Sequence, residues 1–446
     1  MQEKIIQGFS KLSKEEKVDW VVNTYFDSAE DSGHSAKKEL CQFWLEDHNL
    51  QHIFDHFSEN TLSNFFLPFG VAPNFLINGK VYALPMVIEE SSVVAAAASA
   101  AKFWLDRGGF KTEVISTKKL GQVHFSWKGP AEKLFSHFDV IREVLLVDAA
   151  YLTRNMEQRG GGVVDISLKD LTALEPGYYQ LFVTFETCDS MGANFINSIL
   201  EQFGQSLKVF VSGHPGFVGE ERSVEIIMAI LSNYTPECVV RASVECSTEV
   251  MAGACEEMNG PEFSEKFKKA VRIAHIDPYR ATTHNKGIYN GVDAVVIATG
   301  NDFRAVEACG HTYASREGQY KSLSYCTIEE GKFKFWIDLP LALGTVGGLT
   351  RLHPLAKRSL ELLGNPGAEE LMGIIAVAGL AQNFAALRSL ITTGIQRGHM
   401  KMHLANILNH LSASPEATIA ALAFFEQNPV SVASVRNFLE EFEIKR

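Results

Sequence analysis

Residues 277–308 read DPYRATTHNKGIYNGVDAVVIATGNDFRAVEA, and the fold turns on how this stretch is divided. Its first half sets Arg280, Thr282, Thr283, His284, Asn285, Lys286 and Asn290 after a proline at 278 and around glycines at 287 and 291. Core packing gives no reason for so many donors. The second half is a run from Val292 to Ala298 that is apolar except for Asp293, then a polar turn, then an amphipathic continuation from Phe303. The run reads as a strand and the continuation as a helix. Asp302 would stand between them, where an aspartate commonly caps the free donors of a helix start. Lys286, flanked by Asn285 and Gly287, is expected to face an oxyanion rather than bulk water.

Two upstream stretches repeat the plan of strand, polar turn and helix. In KVYALPMVIEESSVVAAAASAAKFW (80–104) the turn carries Glu89, Glu90 and Ser92, and the alanine-rich helix lets another backbone approach closely. In GYYQLFVTFETCDSMGANFINSILEQF (177–203) the turn carries Asp189 and Gly192, and the helix is amphipathic through Phe195, Ile196, Ile199, Leu200 and Phe203. Taken alone, Asp189 and Asp302 are caps sooner than catalysts. Glu90 lies at a helix start that favours its charged form, so a role as proton donor would require desolvation. The DSMGAN turn, with Met191, Gly192, Ala193 and Asn194, is only loosely like a dinucleotide-binding turn, since no GxGxxG occurs anywhere.

At 446 residues the chain exceeds what one core usually serves, and the patterns divide it. A smaller central unit is expected over 115–232, with a loop at the triple glycine of YLTRNMEQRGGGVVDIS, between parts of a larger unit at 1–114 and 233–393. From 394 to 446 two helical patterns hinged near Gly394 and Gly398 suggest a mobile terminal flap. A net charge of −12 argues against a nucleic-acid surface, so an anionic ligand would depend on a few local cations and backbone dipoles. Seven scattered cysteines without a CxxC pair fit reduced thiols in a cytosol. The charged N-terminus offers no apolar signal region. The longest uncharged run, Leu371 to Leu387, contains Gln382 and Asn383, falls short of the roughly 20 apolar residues of a bilayer span, and reads as a buried helix. His399 and His403 share a helix face, but no carboxylate lies between them and no third ligand suggests itself, so no metal is expected.

The segments EESSVVAAAASAAK, DSMGANFIN, DPYRATTHNKGIYNGVDAVVIATGNDFRAVEA and ITTGIQRGHMKMH resemble the signature segments of class II (soluble bacterial) 3-hydroxy-3-methylglutaryl-coenzyme A reductase. The likeness implies an α+β fold: a large mixed helix and sheet domain, an inserted small nucleotide-binding α/β domain and a C-terminal helical flap. It implies reduction of the acyl-CoA thioester to mevalonate and free CoA with two NAD(P)H, through a hemithioacetal and an aldehyde, in a cytoplasmic homodimer or higher oligomer without membrane or nucleic-acid partners. Matched residue by residue, the family's catalytic groups fall on Glu90, Lys286, Asp302 and His399. Its substrate contacts fall on Ser92, Asn233, Arg280, Thr283, Asn290 and His403, and its cofactor contacts on Thr153, Arg154, Asp189, Met191, Gly192, Ala193 and Asn194.

The chemistry agrees with those roles, because hydride arriving at a carbonyl leaves negative charge that a preorganised ammonium stabilises. Two positions depart from the family. An N-terminal arginine that meets coenzyme A is replaced by Ser10, with Lys11 beside it, and the aspartate that holds the ribose in an NADH-using relative is replaced by Thr153. A threonine beside Arg154 can accept a 2′-phosphate, which points to NADPH used at least as well as NADH. Two other readings stay open: a non-catalytic CoA-thioester-binding protein of this fold, and a CoA-dependent lyase without nicotinamide.

Overall fold

The donor-rich stretch is helical in the structure, a computed structural model that describes residues 4–28, 31–32, 34–255, 258–392, 404–405, 407–425 and 428–444. Pro278–Ala298 forms one helix of 21 residues, so the apolar run from Val292 is its C-terminal part and not a strand. Asp277 caps it by accepting the Tyr279 N–H at 3.0 Å, and Pro278 occupies the first position, where a missing N–H costs nothing. The run looked like a strand because this end of the helix is buried on nearly every side, with Asp293 its one charged side chain.

A hairpin of β1 (Phe69–Ile77) and β2 (Lys80–Val87) leads into helix α1 (Val93–Leu105). Further strands follow at β3 (Lys111–Val114), β4 (Lys119–Trp127), β5 (Gly162–Asp170), β6 (Tyr178–Glu186), β7 (Val224–Ser232), β8 (Val239–Ser247), β9 (Ser324–Glu329) and β10 (Lys332–Pro340). The intervening helices are α2 (Phe138–Glu157), α3 (Ala193–Gly213), α4 (Gly260–Ile276), α5 (Pro278–Ala298), α6 (Phe303–Ala314) and α7 (Ala368–Ile391). One antiparallel sheet has the order β9–β10–β8–β3 and the other β5–β6–β4–β7. In the second, β4–α2–β5 and β6–α3–β7 are split β–α–β units. The chain crosses between the sheets at 115–118 and again at 233–238, where the Ile115 and Ser116 N–H groups both donate to the Val239 carbonyl, at 2.8 and 3.3 Å.

Each sheet has its own hydrophobic core. The larger one surrounds α7, whose middle is buried without interruption from Leu371 to Ala385, as expected for a buried helix. Phe103, Trp104 and Phe267 pack around Phe384, with ring centroids 5.2 Å apart for Phe103–Phe384 and 5.6 Å for Phe267–Phe384, and Phe333 packs on Trp104 and Phe267. Each such buried side chain contributes about 1.5–3 kcal/mol. Against this helix α5 packs at very short range. A Cβ on Gly291 would lie 2.4 Å from the Ala378 carbonyl oxygen, and one on Gly379 2.8 Å from Val292, so both positions require glycine. Near the C-terminus, α8 (Pro415–Phe424) and α9 (Val432–Ile444) share a small cluster with Leu404, Leu408, Phe425 and Val435. Gly394, Gly398, His399 and His403 lie outside the described residues.

Between α5 and α6 two carboxyl groups meet. Burial first, and the adjacent Glu307 carboxylate second, push the Asp293 pKa up to about 8. A carboxyl whose folded pKa is raised gives stability that is complete below its ordinary pKa of about 4 and is lost as pH rises through the folded value. Asp293→Asn, which keeps the shape and removes the titration, is therefore expected to raise the melting temperature relative to wild type by an amount that grows between pH 5 and pH 8. A difference that is flat or shrinking across thermal melts in that range would contradict the pairing.

Candidate active site

Lys286 and Asn290 are four residues apart on α5 and so project from the same face. That face meets the turn between β2 and α1. The Glu90 carboxylate receives Lys286 Nζ at 3.0 Å and Asn290 Nδ2 at 3.3 Å on one oxygen, and Ser92 Oγ at 3.4 Å on the other. Ser92 precedes α1 without capping it, which leaves its hydroxyl for Glu90. The lysine side chain is 63% exposed and the glutamate 33%, so the pair adds at most about 1 kcal/mol to stability. What it provides is an ammonium held toward open space.

That space is a cavity of about 510 Å³. Glu90, Ser92, Arg280, Thr283, Lys286 and Asn290 form one wall, and Gln382, Asn383, Ala386, Ser389 and Leu390 of α7 form the other. Burial draws the Arg280 pKa below its usual value while Asp277 opposes the shift. A partly desolvated guanidinium of this kind suits a carboxylate or phosphate, through two parallel hydrogen bonds.

Two donors of the opening stretch serve the interior instead, which corrects the expectation that packing has no use for them. His284 and Asn285 are buried. Asn285 donates to the Lys321 carbonyl at 2.9 Å and accepts the Leu323 N–H at 3.0 Å. His284 Nε2 lies 2.6 Å from Ser324 Oγ, whose own proton goes to Asn383 Oδ1 at 2.9 Å. The serine oxygen is then an acceptor, which assigns the His284 proton to Nε2. Burial, reinforced by Arg280 and His275, pushes the His284 pKa down to about 3, so the ring stays neutral at physiological pH. Gln382 and Asn383 had one legible signal, two amides in an otherwise apolar run.

The remaining positions fall elsewhere. Asp302 caps α6, following a helix and not a strand, and accepts the Arg304 and Ala305 N–H groups at 3.0 and 3.2 Å. Arg304 also binds it through Nε at 3.1 Å and Nη2 at 2.9 Å, and Asp302 is not among the lining of the Glu90 cavity. Asn233 lies with Met191 and Ala193 around a separate gap of about 20 Å³ between the 187–194 turn and α6. In that turn Asp189 is a cap, but of a distant helix, since its Oδ1 accepts the Ala368 N–H of α7 at 2.7 Å. Gly192 starts α3 in the left-handed conformation without any side-chain cap, leaving first-turn N–H groups at Ala193 and Asn194 for an anion. Thr153 is buried within α2 and its hydroxyl is directed to the Ala150 carbonyl at 3.4 Å, whereas the neighbouring Arg154 is exposed. A threonine four residues before a helix end faces inward or outward according to helical phase, which its neighbours in sequence do not fix.

The chain is similar to known proteins along most of its length. A profile of the hydroxymethylglutaryl-coenzyme A reductase family matches residues 28–404. The chain is 36% identical over 408 residues to the 3-hydroxy-3-methylglutaryl-coenzyme A reductase of Archaeoglobus fulgidus, covering 90% of this chain and 86% of the relative. It is 33% identical over 370 residues to the probable enzyme of that name from Borreliella burgdorferi, with 83% and 81% covered. Among solved structures, the class II reductase of Streptococcus pneumoniae bound to NADPH in open conformations superposes with a TM-score of 0.69 at 36% identity, over 86% of this chain and 99% of that one. A second structure of the Streptococcus pneumoniae reductase gives a TM-score of 0.70 at 35% identity over 98% and 99%.

Proposed function

The chain belongs to the hydroxymethylglutaryl-coenzyme A reductase family, and from that membership we propose how its residues divide the work of the reaction. The protein is an NAD(P)H-dependent oxidoreductase of the mevalonate pathway, which reduces 3-hydroxy-3-methylglutaryl-CoA to mevalonate and CoA. The observation that carries the assignment of roles is the ammonium of Lys286 held 3.0 Å from Glu90 at the mouth of a cavity that also contains Arg280.

Lys286 takes the thioester oxygen as it gains negative charge, and again the oxygen of the aldehyde. Glu90, bridged to Lys286 and Asn290, gives the proton that completes the alcohol. Arg280 and Thr283 hold the acyl-CoA, with Ser92 orienting Glu90. The nicotinamide nucleotide, when bound, supplies hydride. The uncapped start of α3 with Met191, Gly192, Ala193 and Asn194 fits its phosphates, while Asp189 holds the turn in place. Asn233 belongs to the same crevice and contacts the acyl-CoA only where that crevice opens toward the nucleotide.

Asp302 is out of the Glu90 cavity and occupied by Arg304, which favours a homodimer in which a second copy brings its Asp302 to Lys286. His399 and His403, which lie outside the described residues, are assigned to the substrate by the family likeness alone. Cytoplasmic placement without a membrane partner is favoured by α7: it is the one described helix long and apolar enough to cross a bilayer, and it is the core of the large domain.

Replacing Lys286 by alanine is expected to lower kcat by about 100-fold or more while CoA-thioester affinity is largely retained, because the lost interaction belongs to the transition state. Activity within about tenfold of wild type, only about 1.4 kcal/mol, overturns the role.

Cofactor choice now rests on Arg154 alone, since Thr153 is inside α2. NADPH is expected to serve at least as well as NADH, with Arg154→Ala reducing kcat/KM for NADPH selectively. A clear preference for NADH together with no effect of that change would refute it.

The third test concerns release of CoA as a thiolate, which His399 would protonate before it re-adds to the aldehyde, imidazole being suited to proton transfer near neutrality. His399→Gln should cripple reduction of the CoA thioester yet spare reduction of free mevaldehyde, which has no thiolate to expel. Equal loss on both substrates, with an unchanged melting temperature, would assign the residue another role.

A further inference from the structure

A lysine at the crossing between the two sheets breaks the usual rule for its residue type. Lys119 is 5% exposed, at the first position of β4. The antiparallel register sets it opposite Phe185, which brings its ammonium to the chain leaving β6. There it donates to Thr187 Oγ1 and, at 2.7 Å, to the Ser190 carbonyl. Both partners are neutral oxygens. The nearby Glu186 carboxylate is engaged by the Thr117 hydroxyl and, at 2.9 Å, by the Cys188 N–H.

A desolvated ammonium without an ion-pair partner is costly, and a methionine would fill the same volume with no such cost. The turn does not need the lysine to close, because Thr187 Oγ1 already donates to the Ser190 carbonyl at 2.7 Å. Nor is the turn held only from this side. Asp189 fastens it to α7, and the Thr345 N–H donates to the Asp189 carbonyl at 2.9 Å. What Lys119 adds is charge, beneath Met191 and Ala193, with which it lines the small gap beside α6. Burial pulls its pKa down, with Cys238, Glu186 and Cys188 opposing. An anion above the turn would favour the charged form.

We propose that Lys119 is a positioning residue for the cofactor, a buried cation that acts through the Thr187–Ser190 turn to hold the diphosphate of a nicotinamide dinucleotide at the start of α3. The inference rests on the reading of the 187–194 turn as the cofactor site. In a chain of net charge −12 it supplies locally the positive potential that the overall composition lacks.

The test uses the full chain and measures dissociation constants for NADPH, NADH and CoA by nucleotide fluorescence and calorimetry, with melting temperature as a fold control. Lys119→Met is expected to weaken NADPH and NADH alike by at least tenfold, because the diphosphate is common to both, while CoA affinity and melting temperature hold. Lys119→Arg should recover part of the loss. A purely structural lysine would lower the melting temperature and leave the dinucleotides and CoA affected together. That result, or NADPH binding within twofold of wild type, overturns the inference, and loss confined to NADPH overturns the assignment to the diphosphate.

Asn194→Asp separates the inference from the reading beneath it. This exposed position in the first turn of α3 tolerates an acid, which a helix start favours, yet the added charge would repel a phosphate there. Weakened dinucleotide binding in Asn194→Asp with none in Lys119→Met refutes the role of Lys119 alone. Unchanged binding in both refutes the turn as the cofactor site and the inference with it.

Discussion

The close crossing of α5 over α7 is the contact on which the rest of the site depends. Gly291 and Gly379 let the two helices approach until a side chain on either would strike the other's backbone or side chains. At that separation Lys286 and Asn290 on α5 and Gln382, Asn383 and Ala386 on α7 become opposite walls of one cavity. The same approach closes the chain of hydrogen bonds from His284 through Ser324 to Asn383, which ties both helices to the edge strand β9. Interiors packed this tightly do not deform gradually. A methyl group at residue 291 would shift α5 as a unit and carry Lys286 away from Glu90. Catalytic geometry and core packing are here the same constraint seen from two ends of one helix.

Which features could be read in advance follows from the range of the interactions that produce them. The turn before α1, with Glu90 and Ser92, is a local matter of a strand ending and an alanine-rich helix beginning, and it was legible. So was the buried character of α7, because no polar face interrupts its run. The apolar end of α5 was not legible as a helix, since a helix buried on all sides loses the 3.6-residue alternation by which helices are recognised. Asp189 was expected to cap the helix that follows it, but that helix has no side-chain cap and the partner of Asp189 is Ala368, 179 residues away, which nothing in the local sequence announces. The inward phase of Thr153 and the burial of Lys119 are likewise consequences of register and packing. The separation of Asp302 from the Glu90 cavity also depends on tertiary structure.

Charge is used sparingly and in distinct ways. Lys286 is exposed and paired, so its ammonium keeps its hydration until substrate arrives. Arg280 is partly desolvated and poised for an anionic group. Lys119 is buried outright and satisfied only by neutral oxygens. Against a net charge of −12, long-range attraction of an acyl-CoA or a dinucleotide is unfavourable, and recognition must come from short-range cations whose fields are strengthened by the low dielectric around them. The three cations line the Glu90 cavity and the small gap beside α6, and span the exposed, partly buried and buried cases.

The two sites are joined by α7. Its 24 residues extend about 36 Å at the usual rise per residue. At its N-terminus the Ala368 N–H is held by Asp189 of the 187–194 turn, and near its C-terminus Ser389 and Leu390 line the Glu90 cavity. The chain then continues from Ile391 toward His399. A helix buried along nearly its whole length cannot bend cheaply, so displacement of the Asp189 turn would be passed to the other end as movement of the whole rod. An incompressible helix anchored at the Asp189 turn and ending beside the Glu90 cavity couples the two through packing alone.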